Sequence, residues 1–390
     1  MRAALDKKLC VFGSFQDNEL YPRNRTLITA LSNVFDTTIE VRPAEISLRI
    51  LSHGDVARLR RFLKYLWRYF AGLLALAKQA HIVRSAGTVF VPYPAYLDIF
   101  ILKWIFLGRK RPKLIIDSFL CLYDTLINDR KMFQPGSFRA RLVSQLERYT
   151  LNSADMIFID TEQQRNSLLV AYGLSPEKIV VTPVGIDESV WMPLAPLPKI
   201  KEFILLFWGT FIPLHGVEVI VRAAEVIGQT HPEIKIKMIG DGQTADAVAR
   251  HIASRDFNNL EWDRELVSGA ELRINVEKSH CLLGIFGTSE KAGNVIPYKV
   301  YQAMASNKIL ITRDGPAMAG KFQLQQHSSG LFLVPPGDHQ RLAKTIIDVY
   351  QNYDKYSRNV RTRELYEGNL SNAMLASGVA AAVEKLRIEG

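Results

Sequence analysis

Cysteine is scarce in this 390-residue sequence. The three cysteines, Cys10, Cys121 and Cys281, are an odd number without paired spacing, and each lies inside an apolar run. This pattern argues against a disulfide framework and against a zinc site. It favours a reducing compartment, and we therefore expect a cytoplasmic protein.

Long apolar runs and targeting signals are also lacking. The first apolar run, residues 9–15, is too short for a signal peptide and has no small-residue cleavage site, so it predicts a first strand. The run over residues 69–77 is far below the ~20 residues needed to span a bilayer. No low-complexity tract occurs. With 48% hydrophobic and 23% charged residues, the composition is typical of an ordered globular chain.

Acidic residues are fewer than basic ones, 39 against 49, and the net charge is +10. This excess favours an anionic partner, which could be nucleic acid, acidic lipid headgroups or a phosphorylated substrate. The sequence has neither an aromatic-basic nucleic-acid motif nor a zinc-finger spacing. We therefore expect no nucleic acid among the partners.

Strand and helix patterns alternate along the whole chain, and its length favours two domains. Three prolines near residues 191–201 interrupt the alternation and predict an interdomain linker. We predict an α/β fold of two Rossmann-like, doubly wound parallel-sheet domains facing a cleft. The first covers residues 1–195 and the second residues 200–369, and a C-terminal helix at 370–390 is expected to pack back on the first domain.

Ligands of open α/β sheets bind beyond the carboxyl ends of the strands. This rule directs attention to Gly13, Asp117, Gly209 and the segment after Phe286. At residues 209–216 a predicted strand turns through two glycines into a helix, a geometry that leaves backbone N–H groups pointing at a phosphate. An ordinary strand-to-helix turn with two glycines is the alternative.

A second polar loop follows the predicted strand that ends at Phe286. The helix after it starts at Pro297, a residue preorganised for the first helical turn. Free N–H groups over residues 295–299 would face an anion, Lys299 adds positive charge, and Gln302 lies about one turn further on the same side. The pattern indicates a diphosphate and ribose site.

With these segments the chain resembles the retaining GT-B glycosyltransferases, particularly the bacterial group that extends lipid-linked polysaccharides such as lipopolysaccharide. The resemblance covers nearly the whole sequence. Its marks are Tyr21-Pro22-Arg23-Asn24, Asp160-Thr161-Glu162, Pro183-Val184-Gly185-Ile186-Asp187, the 209–216 loop and the 295–305 segment. It implies a nucleotide-sugar donor, a glycan or lipid-linked acceptor, work at the cytoplasmic face of the membrane, and neither metal nor cofactor.

The resemblance also implies which residues hold the donor. In the 209–216 loop these are Gly209, Thr210 and His215, where His215 occupies a position that is usually basic and carries charge only when protonated. A pair of glutamates eight positions apart is common in the family, and here the matching residues are Asn294 and Gln302. Both amides keep hydrogen-bonding capacity without charge. The remaining donor-site residues expected from the two loops are Glu290, Val295, Ile296 and Lys299.

In the first domain, Gly13 and Ser14 are expected to approach the sugar and diphosphate from the opposite wall. The alternative for Gly13 is an ordinary strand-end turn. Asp117 ends an apolar strand where related enzymes often place a histidine or an acidic group near the reacting centre. It is the predicted catalytic residue, and a structural helix cap is the alternative.

A basic amphipathic helix is predicted over residues 58–78. Its polar side carries Arg61, Lys64 and Arg68, and Trp67 lies on the apolar side, an arrangement suited to an anionic membrane surface. We expect these four residues to contact the membrane. The alternative is a helix packed on the sheet with a solvated basic face.

Two other functions remain open at this point. A catalytically silent partner or scaffold protein of the same fold would explain why His215, Asn294 and Gln302 stand at positions that are often charged in the family. A nucleotide-sugar epimerase would bind the same donor without an acceptor, and would need an acid and base pair among carboxylates such as Asp117, Glu290 and Asp160.

Overall fold

The computed structural model describes residues 7–18, 21–42, 78–94, 97–119, 121–198, 202–265, 267–322 and 329–388. Over these ranges the chain forms two α/β domains, each built on a six-stranded sheet. Every recorded strand pair in both sheets is parallel. This architecture confirms the predicted fold of two doubly wound, Rossmann-like domains.

The first sheet has the strand order β2-β1-β3-β4-β5-β6. Its strands are β1 (Lys8–Phe12), β2 (Thr37–Val41), β3 (Thr88–Val91), β4 (Lys113–Asp117), β5 (Met156–Ile159) and β6 (Ile179–Val181). Every residue of β3 and β5 is buried, because helices cover both faces of a parallel sheet.

Helices connect the strands of the first domain. They span Pro22–Ser32, Ala80–Val83, Asp98–Ile105, Phe138–Ser153 and Glu162–Tyr172, with a π-helical segment at Asp124–Asp129 and a 3₁₀ turn at Pro176–Lys178. Two of these helices begin at side-chain caps. The hydroxyl of Ser137 accepts the N–H of Ala140, and that of Thr161 accepts the N–H of Gln164.

The second sheet has the order β12-β11-β10-β7-β8-β9. Its strands are β7 (Phe203–Trp208), β8 (Ile234–Ile239), β9 (Leu260–Asp263), β10 (Cys281–Leu283), β11 (Ile309–Arg313) and β12 (Leu331–Val334). Its helices are Val217–Gly228, Ala245–Ala253, Gly269–Glu277, Glu290–Asn294, Tyr298–Ala305, Pro316–Phe322, His339–Gln351, Tyr353–Arg358 and Thr362–Asn369, with a 3₁₀ turn at Pro213–His215.

The last helix, Asn372–Ile388, returns to the first domain. Its buried residues Leu375, Val379 and Val383 share one hydrophobic cluster with Leu27 and Leu31 of the first helix. The chain therefore crosses between the domains twice. Among the described residues no helix is both long and apolar enough to span a membrane.

The two domains meet along one side of a cleft. The backbone N–H of Val184 donates to the Tyr301 hydroxyl at 3.1 Å, and the Thr161 hydroxyl donates to the Asn294 carbonyl at 2.5 Å. Close to this second contact, the ammonium of Lys291 hydrogen-bonds the hydroxyl of Thr125. These contacts hold the loops after the strands of one sheet opposite those of the other.

Candidate functional site

A cavity of about 860 Å³ lies between the two domains. The first domain supplies lining residues that include Pro22, Thr26 and Asp187, and the second domain supplies the loop after β7 and the start of the Tyr298–Ala305 helix. Its volume is in the range of small-molecule binding sites. Of the predicted donor-site residues, it is lined by Gly209, Thr210, His215, Lys299 and Gln302.

The loop after β7 can take its shape because of a glycine at its end. Gly216 has φ +61°, and a Cβ there would lie 2.4 Å from the backbone nitrogen of Gly287. A side chain at this position would therefore clash with the neighbouring loop, in addition to the strain of left-handed backbone. The glycine lets the loops after β7 and β10 pack together at the edge of the cavity.

Lys299 lies in the first turn of the Tyr298–Ala305 helix and is 5% exposed. Within the described part of the chain, its Nζ has no hydrogen-bond partner and lies 3.8 Å from the centroid of the Phe207 ring. Burial lowers the pKa of Lys299 well below its ordinary value of 10.5. A buried ammonium without a partner is unfavourable, so the site is suited to an anion that would pair with it.

His215 lies next to Lys299 and is held by its own loop. Its Nδ1 donates a hydrogen bond to the carbonyl of Thr210. Burial, followed by the charge of Lys299, lowers the pKa of His215 well below its ordinary value of 6.5. The imidazole is therefore neutral at physiological pH, and Nε2 remains as an acceptor. His215 therefore supplies no positive charge at this end of the cavity, whereas Lys299 supplies one when its amine is protonated.

Gln302 is oriented by a tryptophan. The indole Nε1–H of Trp208 donates to Gln302 Oε1 at 3.0 Å, which assigns the amide oxygen to the buried side. The NH₂ group of Gln302 is then directed away from the indole, as a donor for a cavity ligand. The sequence patterns do not indicate that Trp208 contributes to the site, because it has the pattern of an ordinary apolar residue at the end of β7.

The other predicted donor-site residues do not line this cavity. Ser14, next to Gly13, donates its backbone N–H to Asp98 Oδ2 at 2.5 Å. Ile296 is buried in a hydrophobic cluster of the second domain, and Val295 packs, partly buried, against a smaller cluster. Glu290 is exposed at the start of its helix. Asn294 contributes an interdomain contact through its carbonyl. The loop after β10 therefore supports the site mainly by packing.

Asp117 does not lie where a catalytic residue is expected. It ends β4, is 2% exposed, and accepts hydrogen bonds from Arg23 Nε at 2.9 and 3.1 Å. Burial raises the pKa of Asp117, and the guanidinium opposes that effect. Because the carboxylate is bound by Arg23 and does not line the cavity, the geometry does not support its predicted catalytic role.

The two other carboxylates considered for acid and base catalysis, Asp160 and Glu290, do not line the cavity. Asp160 is buried, accepts a hydrogen bond from Gln164 at 2.9 Å, and burial raises its pKa to about 6. Glu290 is exposed on another part of the surface. Among the described residues there is also no group of three or more potential metal ligands.

Arg130, which no sequence motif indicates, contacts the second domain but does not line the cavity. Its Nε is buried without a hydrogen-bond partner among the residues of known position, and its backbone carbonyl accepts from Gln243 of the second domain at 3.2 Å. After burial and Lys299, the charge of Arg130 also lowers the pKa of His215, and it opposes the burial that raises the pKa of Tyr93. Arg130 is therefore a cation of the first domain near His215, in addition to Lys299 of the second domain.

The predicted membrane contacts Arg61, Lys64, Trp67 and Arg68 lie outside the described residues.

Comparison with known proteins finds sequence similarity in the second domain. Residues 202–352 match the family model described as glycosyl transferases group 1. A D-inositol 3-phosphate glycosyltransferase of Kineococcus radiotolerans is 27% identical over 145 residues, which are 32% of this chain and 33% of the relative. One from Kribbella flavida is 26% identical over 107 residues, 26% of this chain and 25% of the relative. The match thus spans about a third of the length of these relatives, or less.

Solved structures resemble the whole chain. HepE from Anabaena in complex with UDP superposes with a TM-score of 0.67 at 14% identity, covering 97% of this chain and 100% of HepE. Sucrose-phosphate synthase from Thermosynechococcus elongatus also has a TM-score of 0.67 at 14% identity, covering 98% and 99%. At this identity the likeness shows the fold, which is GT-B.

Proposed function

We propose that this chain is a glycosyltransferase, which moves a sugar with retention of configuration from a nucleoside diphosphate sugar to a glycan or lipid-linked acceptor. The observation that carries the proposal is the buried ammonium of Lys299, which faces the interdomain cavity without a hydrogen-bond partner among the described residues. The match of residues 202–352 to group 1 glycosyl transferases supports the same conclusion.

In this proposal the donor diphosphate binds between the loop after β7 and the start of the Tyr298–Ala305 helix. Lys299 pairs with its charge, and the free backbone N–H groups of the first helical turn point the same way. The Nζ of Lys299 lies only 3.0 Å from where a Cβ of residue 209 would be, so glycine lets the lysine reach the loop. Phosphate and lysine can then come together at Gly209.

The nucleoside ribose is proposed to bind Gln302. Because Trp208 holds the amide oxygen, the amide NH₂ donates to a ribose hydroxyl oxygen. A neutral amide forms a weaker bond to ribose than a carboxylate acceptor would. The chain therefore depends on Lys299 for a larger part of its donor affinity.

The transfer step is proposed to depend on positioning and charge neutralisation. With retention, the acceptor attacks the same face of an oxocarbenium-like sugar from which the diphosphate departs, and the diphosphate helps to take the acceptor proton. Lys299 and Arg130 approach the developing negative charge from the two domains. Because the chain supplies both cations, the proposal requires neither a metal ion nor another cofactor.

The acceptor and the site of action are part of the proposal. The net charge of +10 favours attraction to anionic lipid, which suits a lipid-linked acceptor at the cytoplasmic face of the membrane. In this view the protein is peripheral to the membrane rather than embedded in it.

The first experiment measures donor binding and turnover on the same preparations. HepE has been crystallised with UDP and with UDP-glucose, so these two compounds lead a panel that also contains the other nucleoside diphosphates. A ligand that binds the folded state raises the melting temperature. We expect a selective rise that is lost in Lys299→Ala and kept in Lys344→Ala, a change at an exposed lysine on the His339–Gln351 helix. No rise with any nucleotide would overturn the proposal.

A catalytically silent protein of the same fold is the second candidate. The neutral His215 and the position of Asn294 outside the cavity lining favour it, since both residues are predicted to bind the donor. Slow hydrolysis of the donor separates the two candidates. Release of nucleoside diphosphate that is abolished by Lys299→Ala supports the enzyme, whereas tight binding without release supports the silent partner.

A further inference from the structure

Two neighbouring helices of the first domain expose large apolar side chains. At the Asp98–Ile105 helix and its ends, Trp104 is 64% exposed and Leu107 is 78% exposed, and on the Phe138–Ser153 helix Phe138 is 80% exposed. We call the whole set the aromatic face: Leu97, Phe100, Trp104, Leu107, Phe138, Leu142 and Tyr149. An ordinary surface helix places polar residues on the side turned away from the core.

The two helices form one continuous surface. The rings of Phe100 and Tyr149 stack with centroids 4.9 Å apart and planes 7° from parallel. Lys103 Nζ lies 3.9 Å from the centroid of the Tyr149 ring. On its other side, the Asp98–Ile105 helix packs into the domain core through Ile99, Leu102 and Ile105. The helix is thus apolar on two sides, and only one of them is buried in the domain.

Every exposed charge of these segments is positive. Residues 98–111 and 138–153 contain two acidic residues, Asp98 and Glu147, and both are 0% exposed. Asp98 accepts the backbone N–H of Ser14, and Glu147 accepts those of Leu122 and Tyr123. The same segments carry seven exposed basic residues: Lys103, Arg109, Lys110, Arg111, Arg139, Arg141 and Arg148. Of these, Arg111 is paired with Asp155 just beyond the second segment, so the positive charge of the face comes from the other six.

We propose that the aromatic face binds the surface of an anionic lipid bilayer. Exposed tryptophan and phenylalanine suit the boundary between headgroups and acyl chains, and a basic rim suits acidic headgroups. A second copy of this chain is a poorer partner, because two such faces would bring their basic rims together. The bilayer satisfies both the apolar and the charged parts of the face.

The position of the face suits an acceptor held in the membrane. Leu97 lies directly beside Asp98, whose carboxylate accepts the N–H of Ser14 just after β1. The face therefore begins at the edge of the sheet where the strands end, which is the edge turned toward the cleft. Its purpose rests on the proposed function, since a lipid-linked acceptor would be presented at that edge.

The test is binding of the full chain to lipid vesicles without donor or acceptor. Vesicles of phosphatidylcholine alone are compared with vesicles in which about one third of the lipid is phosphatidylglycerol. We expect binding to the anionic vesicles only, weakened by salt and reduced at least about tenfold by Trp104→Glu. Met374→Glu is the control, because Met374 is 46% exposed on the Asn372–Ile388 helix, outside the aromatic face.

A double charge reversal, Arg139→Glu with Arg141→Glu, keeps the apolar residues and should also abolish binding. Melting temperature and UDP binding are measured for each variant, so that misfolding and failure of the donor site are recognised separately. Binding of Trp104→Glu at the wild-type level would overturn the proposal. So would a wild-type dimer in sedimentation that Trp104→Glu dissociates, because a second copy would then occupy the face.

Discussion

Arg23 and Asp117 form a buried ion pair, in which the guanidinium Nε lies 2.9 and 3.1 Å from the two carboxylate oxygens. The same guanidinium donates to the carbonyls of Thr182 and Pro183, at 3.1 and 2.9 Å. The pair therefore ties the first helix to the end of β4 and to the segment after β6. The ion pair therefore has a structural role, and it uses the carboxylate of Asp117, the residue that the sequence patterns predict to be catalytic.

The first prediction concerns Asp117→Asn. Asparagine keeps one acceptor but removes the carboxylate that is bonded directly to the buried Arg23 guanidinium, so we expect a loss of about 3 kcal/mol in unfolding free energy. Turnover should fall less than about tenfold, because the residue does not line the cavity. Urea unfolding and nucleotide release measure the two effects. A loss of turnover by about a thousandfold at unchanged stability would restore the catalytic role.

The second prediction is a pH dependence of donor binding that originates at Lys299. Burial lowers its pKa in the free protein, and pairing with a diphosphate should raise it again. Binding then takes up a proton. Affinity is therefore full at pH values below the free-state pKa and falls above it, by at most about tenfold per pH unit.

Titration calorimetry from about pH 7 to 9 checks this prediction. The range lies above pH 6, near which the diphosphate loses its last proton, so that ionisation of the ligand does not add to the pH dependence. Two buffers of different ionisation enthalpy report the proton uptake directly. Lys299→Arg is the control, since arginine stays charged throughout this range. A pH-independent affinity for the wild type would contradict the assignment of Lys299.

The third prediction separates the two functions of the Gln302 amide. Gln302→Ala removes the acceptor for Trp208 and the donor for ribose, and should weaken UDP binding about tenfold. Gln302→Glu keeps an acceptor for the indole and can accept from a ribose hydroxyl as a carboxylate, so it should bind at least as tightly as the wild type. The measurement is the dissociation constant for UDP and for 2′-deoxy-UDP. If the wild type binds both nucleotides equally, the 2′-hydroxyl is not the group that Gln302 contacts.

The fourth prediction is a stability test of the loop after β7. Gly216→Ala would place a Cβ 2.4 Å from the Gly287 nitrogen at a φ of +61°, and should lower stability by at least about 2 kcal/mol. Gly173→Ala is the matched control. Its φ is +64° and no atom lies within 4 Å of the added Cβ, so only the backbone cost of about 1 kcal/mol applies. Equal losses in the two variants would show that the loops can move apart.

Most of the sheet architecture could be predicted because it depends on local patterns. Apolar runs predict strands at residues 113–117, 234–239 and 331–334, and these agree with the observed β4, β8 and β12 at both ends. Between Asp117 and Ala154 no element is predicted, yet the structure has the Phe138–Ser153 helix. Exposed arginines interrupt its apolar pattern, and the residues it buries are few, so the periodicity is weak there.

The candidate site was only partly predictable. Lys299 and Gln302 are recognisable because they follow a strand, a polar loop and a proline within one short segment. Arg130 follows an irregular π-helical segment and has no such pattern. The partner of Asp117 could not be foreseen, because Arg23 is 94 positions away and the pair forms only when β4 and the first helix pack together.

Local patterns in the sequence predict the two-domain α/β alternation and the loops that can bind an anion, since periodicity, glycine and proline act over a few neighbouring residues. Which polar groups find a hydrogen-bond partner, and which surfaces remain exposed to solvent, depends on how the chain packs in three dimensions. This packing paired Asp117 with Arg23, left the Lys299 ammonium facing the cavity, and turned the aromatic face outward. Burial and charge pairing depend on residues far apart in the chain, and their free energies arise only when the fold brings those residues together.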